Sequence, residues 1–122
     1  MEKRDLDDRL LEYGARIVKV VESLPKTLAG KTIGDQLLRS GMSVGANYEE
    51  AQAAESRADF VHKLQIALKE LRESNYWLRL LTKSEILTPK RLTSIIDESN
   101  QLRAILSKSV ATAKANISKG QR

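Results

Sequence analysis

One histidine and a few carboxylates carry whatever catalytic chemistry this 122-residue chain could perform. Asp59-Phe60-Val61-His62 has the carboxylate-x-x-His spacing from which helices of a four-helix bundle build a di-iron centre. That centre needs the pair twice, and His62 is the single histidine. At 100° per residue His62 also falls roughly 160° from Phe60, which belongs to an apolar stripe. His62 is therefore expected at the surface or an interface, and no metal is expected. Glu70 and Glu73 lie three apart near Trp77. Paired carboxylates suit acid–base work or a hard cation, and they equally suit an interface where a neighbour's Arg or Lys meets them. No catalytic partner is spaced to serve them, so the interface reading is preferred. Ser43, Asn47 and Glu50 stand at i, i+4 and i+7 and form one polar line along a helix, beside Gln36 and Ser40. Such a line either fixes helix register through hydrogen bonds or belongs to a site.

The inventory excludes more than it offers. With no cysteine there are no disulfides, thiolate metal sites or cysteine nucleophile. No GxGxxG, GxxxxGK[ST] or GxSxG pattern occurs, so neither a phosphate-cradling loop nor a nucleophile elbow is expected. The chain is expected to be no enzyme and to need no cofactor. No apolar run approaches the roughly 20 residues of a membrane span, and the charged N-terminal segment lacks the apolar core of a secretory signal. A cytoplasmic protein with no membrane partner is the expectation.

Composition says which elements hold these residues. Aromatics are 4%, with two prolines and six glycines, which favours helices over a sandwich or barrel. Leu6, Leu10, Tyr13, Ile17, Val20 and Leu24 repeat at 4, 3, 4, 3, 4, the seam of a packed helix that stops before Pro25. A second helix carries Ile33, Leu37, Val44, Tyr48 and Ala51 on one face, and its Gly34, Gly41 and Gly45 imply a closely approaching neighbour or a kink near Gly41. A third is capped by Ser56 with Asp59 three residues on, and carries Phe60, Leu64, Ala67, Leu71 and Leu78. On its opposite side fall Ile66, Trp77 and Leu80, an extra apolar face expected to meet another subunit. Thr88-Pro89 opens a fourth. The spacing predicts helices over about 5–24, 32–54, 57–82 and 89–118 in one domain, residues 1–122: an all-α, up-down-up-down antiparallel four-helix bundle.

Charge adds a candidate partner. The chain is +5 overall. After Glu98 it holds Arg103, Lys108, Lys114, Lys119 and Arg122 without one acid. With Lys90 and Arg91 at the start of the same helix, these residues form a candidate surface for RNA or DNA. The alternative is a solvated helix face. Tyr13, Tyr48, Phe60 and Trp77 fall on packing faces, so backbone and shape recognition is expected rather than base stacking.

Two segments resemble a known family: Leu37-Leu38-Arg39-Ser40-Gly41-Met42-Ser43-Val44-Gly45-Ala46-Asn47-Tyr48-Glu49-Glu50-Ala51, and Ser56-Arg57-Ala58-Asp59-Phe60 running on through Ile66-Ala67, Glu70 and Trp77. Together they look like the four-helix-bundle proteins encoded in 23S ribosomal RNA intervening sequences. Ser43, Asn47, Glu50, Ser56, Phe60, Ile66, Ala67 and Glu70 occupy the places of the family pattern, while Gly45, Ala51 and Ala54 stand where many members have Pro, Gly and Arg. The resemblance implies a ring-like homo-oligomer, a homopentamer in known members. It also implies a relation to the nucleic-acid-binding accessory proteins of diversity-generating retroelements. Three functions stay open at this point. They are an oligomeric nucleic-acid binder with RNA favoured, an oligomeric scaffold for a protein partner, and an enzyme should Glu50, Glu70 and Glu73 converge.

Overall fold

The computed structural model describes residues 3–120, all four predicted helices among them. They are α1 (Lys3–Glu22), α2 (Leu28–Gln52), α3 (Arg57–Lys83) and α4 (Pro89–Gly120). Short connections force antiparallel neighbours. Helix α1 packs on α2, α2 on α3, α3 on α4, and α4 closes back on α1 along a shorter line. The α1–α2 groove and the α3–α4 groove therefore lie on opposite sides of the bundle. Arg122, one of the basic residues singled out in the sequence, lies outside the described residues.

The apolar stripes meet as their spacing requires. Leu10, Tyr13 and Ile17 of α1, Leu37 and Val44 of α2, Leu64, Leu71 and Leu78 of α3, and Leu92, Leu102 and Leu106 of α4 make one buried cluster. Beyond Val110 no described residue of α4 is buried, so its last turns overhang the core. Ser56 caps α3 as expected, its Oγ accepting from the Asp59 backbone N–H at 3.0 Å. Helix α2 starts earlier than its periodicity predicts, at Leu28 and not near Thr32. The reason is Thr27, an extended residue whose Oγ1 accepts from the Gly30 N–H at 3.0 Å. Gly30 is also the only residue type that fits there, since a Cβ would stand 2.2 Å from the Pro25 carbonyl oxygen.

Of the two explanations for the α2 glycines, close approach holds, and it holds at Gly41. A Cβ on Gly41 would meet Ile17 Cγ2 at 2.6 Å, so α1 and α2 touch there with nothing between them. A Cβ on Gly45 would sit 3.7 Å from the Leu10 carbonyl oxygen, an ordinary contact.

Periodicity places Tyr13 and Ser99 on packing faces but gives no warning of Ser74 and Asn75, which complete a buried polar seam between α1, α3 and α4. Tyr13, Ser74, Asn75 and Ser99 are fully buried. The Ser74 hydroxyl donates to the Leu71 carbonyl (2.9 Å), which leaves Tyr13 as donor in the 2.7 Å bond between the two hydroxyls. Burial pushes the Tyr13 phenol up to about 12, and the bond to Ser74 relieves this only in part. At the rim, Arg9 grips Glu98 with two nitrogens (3.0 and 2.7 Å), tying α1 to α4, the neighbours that touch over the shortest line.

Two outcomes are expected. Gly41→Ala should destabilise the bundle by about 1–2 kcal/mol, overpacking against Ile17 exceeding the gain in helix propensity, while Gly45→Ala should be neutral or stabilising by up to about 1 kcal/mol. Urea unfolding of the two variants checks the contrast. Tyr13→Phe should cost about 1 kcal/mol near pH 8. Because the folded-state phenol is raised from 10 to about 12, its contribution is complete below pH 10 and fades as pH rises through 12. By pH 12 the wild type should have lost about 2 kcal/mol relative to the variant, reversing their order. A wild-type advantage unchanged between pH 8 and 12 would contradict a buried Tyr13.

Candidate nucleic-acid interface

Helix α3 packs on two neighbours, and its charges divide between them. At 100° per residue Arg57, Lys69, Arg72, Arg79 and Lys83 fall within an arc of roughly 120°, on the side toward α4 and solvent. Asp59, Glu70 and Glu73 fall in a separate arc toward α2. The two helices flanking α3 respond differently to this division.

On the α2 side Glu70 and Glu73 are neutralised inside the chain. Arg39 of α2 reaches both carboxylates: Nη1 donates to Glu70 Oε1 (3.3 Å) and Nη2 to Glu73, while Nη2 also meets Gln36 Oε1. The Trp77 indole N–H donates to Glu73 Oε2 at 3.0 Å. The partner of Glu70 and Glu73 is therefore Arg39 of the same chain, where spacing alone suggested a neighbour's base. Glu50 does not join them. It accepts from Lys63 Nζ at 2.7 Å, and this contact holds the Lys63 ammonium above its ordinary range. The polar line of α2 is likewise satisfied locally: Ser43 Oγ donates to the Arg39 carbonyl (2.7 Å) and Asn47 Nδ2 to the Ser43 carbonyl (2.8 Å). Among the described residues no three His, Cys, Asp or Glu come together, and His62 is exposed.

On the α4 side the lining holds bases without carboxylates among the described residues. Three hollows follow one another along the α3–α4 groove. The first, of about 520 Å³, lies between Arg57 and Lys119 over Phe60 and Val61. The second, of about 350 Å³, is lined by Lys69, Arg72 and Lys114. The third, of about 420 Å³, is lined by Tyr76, Arg79, Leu80, Lys83 and Ile96. Among the described residues no Asp or Glu lines any of them. From Arg57 to Arg79 the groove runs about 33 Å along the helix axis.

The six described basic residues of those singled out in the sequence therefore separate. Lys114 and Lys119 line the groove, and Arg103 faces α3 through a hydrogen bond to Asn75. Lys90 and Lys108 are exposed roughly 140° around α4 from Arg103, and Arg91 is exposed in the first turn, away from the three hollows. The α3 half of the groove, which is its more basic half, escaped the reading by charge runs because acids interrupt the bases in sequence. The detectable signal was angular segregation at the helical period.

The apolar residues separate too. Ile66, Trp77 and Leu80 are half-buried, with Trp77 packed on the core and edge-on to Tyr76 at 5.1 Å between centroids. Other exposed apolar side chains gather elsewhere: Leu11 (75% exposed) and Met42 (52%) flank a groove of about 420 Å³ between α1 and α2. Gly14, Gly41 and Gly45 form part of its lining, and Asp7 and Glu49 are its charged residues. The Asp7 Oδ1 atom is buried there with no hydrogen-bond partner.

The fold and these surfaces can be compared with known proteins. The model of the 23S rRNA-intervening sequence protein family matches residues 7–108. The chain belongs to that family. A 23S rRNA-intervening sequence protein is thus a four-helix bundle whose matched segment ends just where α4 begins to overhang the core. One similar solved structure is a protein with unknown function from the S23 ribosomal protein family of Bacteroides thetaiotaomicron. It is 41% identical, covers 86% of this chain and 97% of its own, and superposes with a TM-score of 0.81. A comparison with curated proteins returns no match. Among the described residues no helix is long and apolar enough to cross a membrane.

Proposed function

We propose that this member of the family is a non-catalytic, cytoplasmic, homo-oligomeric protein that binds nucleic acid, RNA in particular, along the α3–α4 groove. The observation that carries the reading is the charge division on α3. Its Glu70 and Glu73 are paired with Arg39, while Lys69, Arg72 and Arg79 join Arg103 and Lys114 in a groove that no Asp or Glu lines among the described residues. A polyanion is the partner such a surface attracts, by release of its counterions. The groove offers one aromatic ring, that of Tyr76, so recognition rests on phosphate and shape more than on base stacking. Catalysis finds no support in Glu50, Glu70 and Glu73, each of which is engaged by a base of the same chain.

Assembly is part of the same proposal. The α1–α2 groove carries exposed Leu11, Val18 and Met42 over glycines, and its Asp7 Oδ1 lacks a donor that an occupant would supply. A second copy fits both requirements, with Ile66, Trp77 and Leu80 of α3 as the apolar counterpart. Those two surfaces differ, so a contact joining them is head-to-tail, the kind that closes into a ring such as a pentamer. A second reading, a scaffold that docks another protein, draws on the same α1–α2 groove. Recovery of a protein partner that survives nuclease treatment would favour it.

Lys69→Gln, Arg72→Gln and Lys114→Gln together should weaken binding to single-stranded RNA at least tenfold. They should also flatten the log–log salt dependence between about 50 and 200 mM by roughly 2, at about 0.7 per lost phosphate contact. Lys90→Gln with Lys108→Gln should change neither quantity appreciably. Equal effects of the two sets, read by fluorescence anisotropy, would remove the groove from the argument. Leu11→Lys with Met42→Lys should reduce the oligomer to monomers in analytical ultracentrifugation while helicity is retained. An intact oligomer would place the subunit contact elsewhere.

A further inference from the structure

Asn75 is a fully buried amide on α3, and all its hydrogen-bonding capacity is used at the edge of the groove. Its Nδ2 donates to Ser99 Oγ at 2.6 Å and to Asn100 Oδ1 at 3.1 Å, which fixes the direction of the amide. Its Oδ1 then accepts from two cations at once, Arg79 Nε at 2.9 Å and Arg103 Nη1 at 3.3 Å. One arginine comes from α3 and the other from α4, and their bonding nitrogens lie within about 6 Å of each other. Among the described residues neither guanidinium forms an ion pair, and the Tyr76 ring flanks Arg79 at 5.8 Å.

Satisfying one amide oxygen does not require two like charges. Each guanidinium has five N–H donors and spends one on Asn75, so a set of donors from each remains for a shared ligand. The two charges repel, and the amide dipole offsets that repulsion only in part. An anion seated between them would remove it. Phosphoryl oxygens accept charge-assisted hydrogen bonds at about 2.8 Å and suit the planar guanidinium fork, so one phosphate can bridge both residues.

We propose that Arg79 and Arg103, held side by side by Asn75, form a clamp that seats one phosphodiester group of a nucleic-acid chain lying in the α3–α4 groove. Arg79 and Arg103 touch the phosphate, and Asn75 is a positioning residue. The clamp rests on the nucleic-acid reading above and adds to it a two-residue contact that acts as a unit.

The test is a double-mutant cycle read by fluorescence anisotropy with a short labelled single-stranded RNA, using the full chain in its native oligomeric state. Arg79→Gln and Arg103→Gln should each weaken binding roughly tenfold and flatten the salt dependence by about 0.7, one phosphate's share. The double variant should be no worse than either single one, because both lose the same contact. Asn75→Asp removes no base but gives the pair an internal carboxylate, and it should reproduce the loss. Thermal unfolding of each variant confirms that the bundle is intact. Losses that multiply in the double variant, with wild-type binding intact, would overturn the clamp and leave the groove as the binding surface. An absence of wild-type binding near 50 mM salt would overturn the groove and the clamp together. Inorganic phosphate serves as the second ligand. If it shifts the Asn75 side-chain amide resonances while RNA does not bind, the site is one for free phosphate and the nucleic-acid assignment is overturned.

Discussion

The contact on which the molecule's electrostatics depend is that of Arg39 with Glu70 and Glu73. It is an exposed ion pair, and such pairs contribute little to stability. Its effect is directional. By drawing both carboxylates toward α2, and with Trp77 fixing Glu73 from the other side, it leaves the α4 side of α3 lined by bases alone. A helix with three acids set among six bases would otherwise present a mixed face to any partner. The helical period, with one arginine on the neighbouring helix, divides it into a neutralised half and a basic half.

The same helix carries the polar groups that hold the bundle in register. Ser74 and Asn75 project into the interior from α3, where Tyr13 of α1 and Ser99 of α4 meet them. Each such group would be costly if left without a partner, so a slip of either neighbour by one turn would strand several at once. An apolar seam of leucines tolerates such slips far better. The seam also reaches the surface through Asn75, which links the register of the core to the positions of Arg79 and Arg103. Structural specificity and the geometry of the groove thus share one side chain.

How much of this the sequence discloses depends on the kind of signal. The order of the helices, the bundle, the Ser56 cap and the apolar stripe through Leu64, Leu71 and Leu78 follow from spacing, because burial at a fixed period leaves a direct trace. The close approach at Gly41 was also legible as one of two causes of a glycine in mid-helix. The early start of α2 was not, since it turns on one hydroxyl of Thr27. In α4 the bases stand out because acids are missing from its second half, and Arg103 and Lys114 were found in that way. On α3 acids interrupt the bases through residues 69–73, so its basic face is seen only when residues are sorted by angle and by what each side packs against. Asn75 had no signal of its own. A polar residue between Leu71 and Leu78 reads as surface until the third and fourth helices are placed around it.

The two grooves also differ in what they ask of a partner, and that difference bears on how binding and assembly would combine. The α1–α2 groove is apolar, with Asp7 and Glu49 as its charges among the described residues, while the α3–α4 groove on the opposite side is basic. Copies joined head-to-tail through the first groove and the Ile66 and Trp77 side of α3 would leave the hollow at Lys69, Arg72 and Lys114 open on every subunit, with Leu80 at the edge of the contact. A polyanion bound to one subunit then meets the next groove at high effective concentration, so affinity rises with the number of subunits without any new type of contact. Each added subunit also adds phosphate contacts, and with them a steeper dependence on salt. Assembly and nucleic-acid binding, as proposed, would therefore act as one property: a monomer with an intact groove would bind weakly and with a shallow salt slope, and a ring of the same grooves would bind tightly and with a steep one.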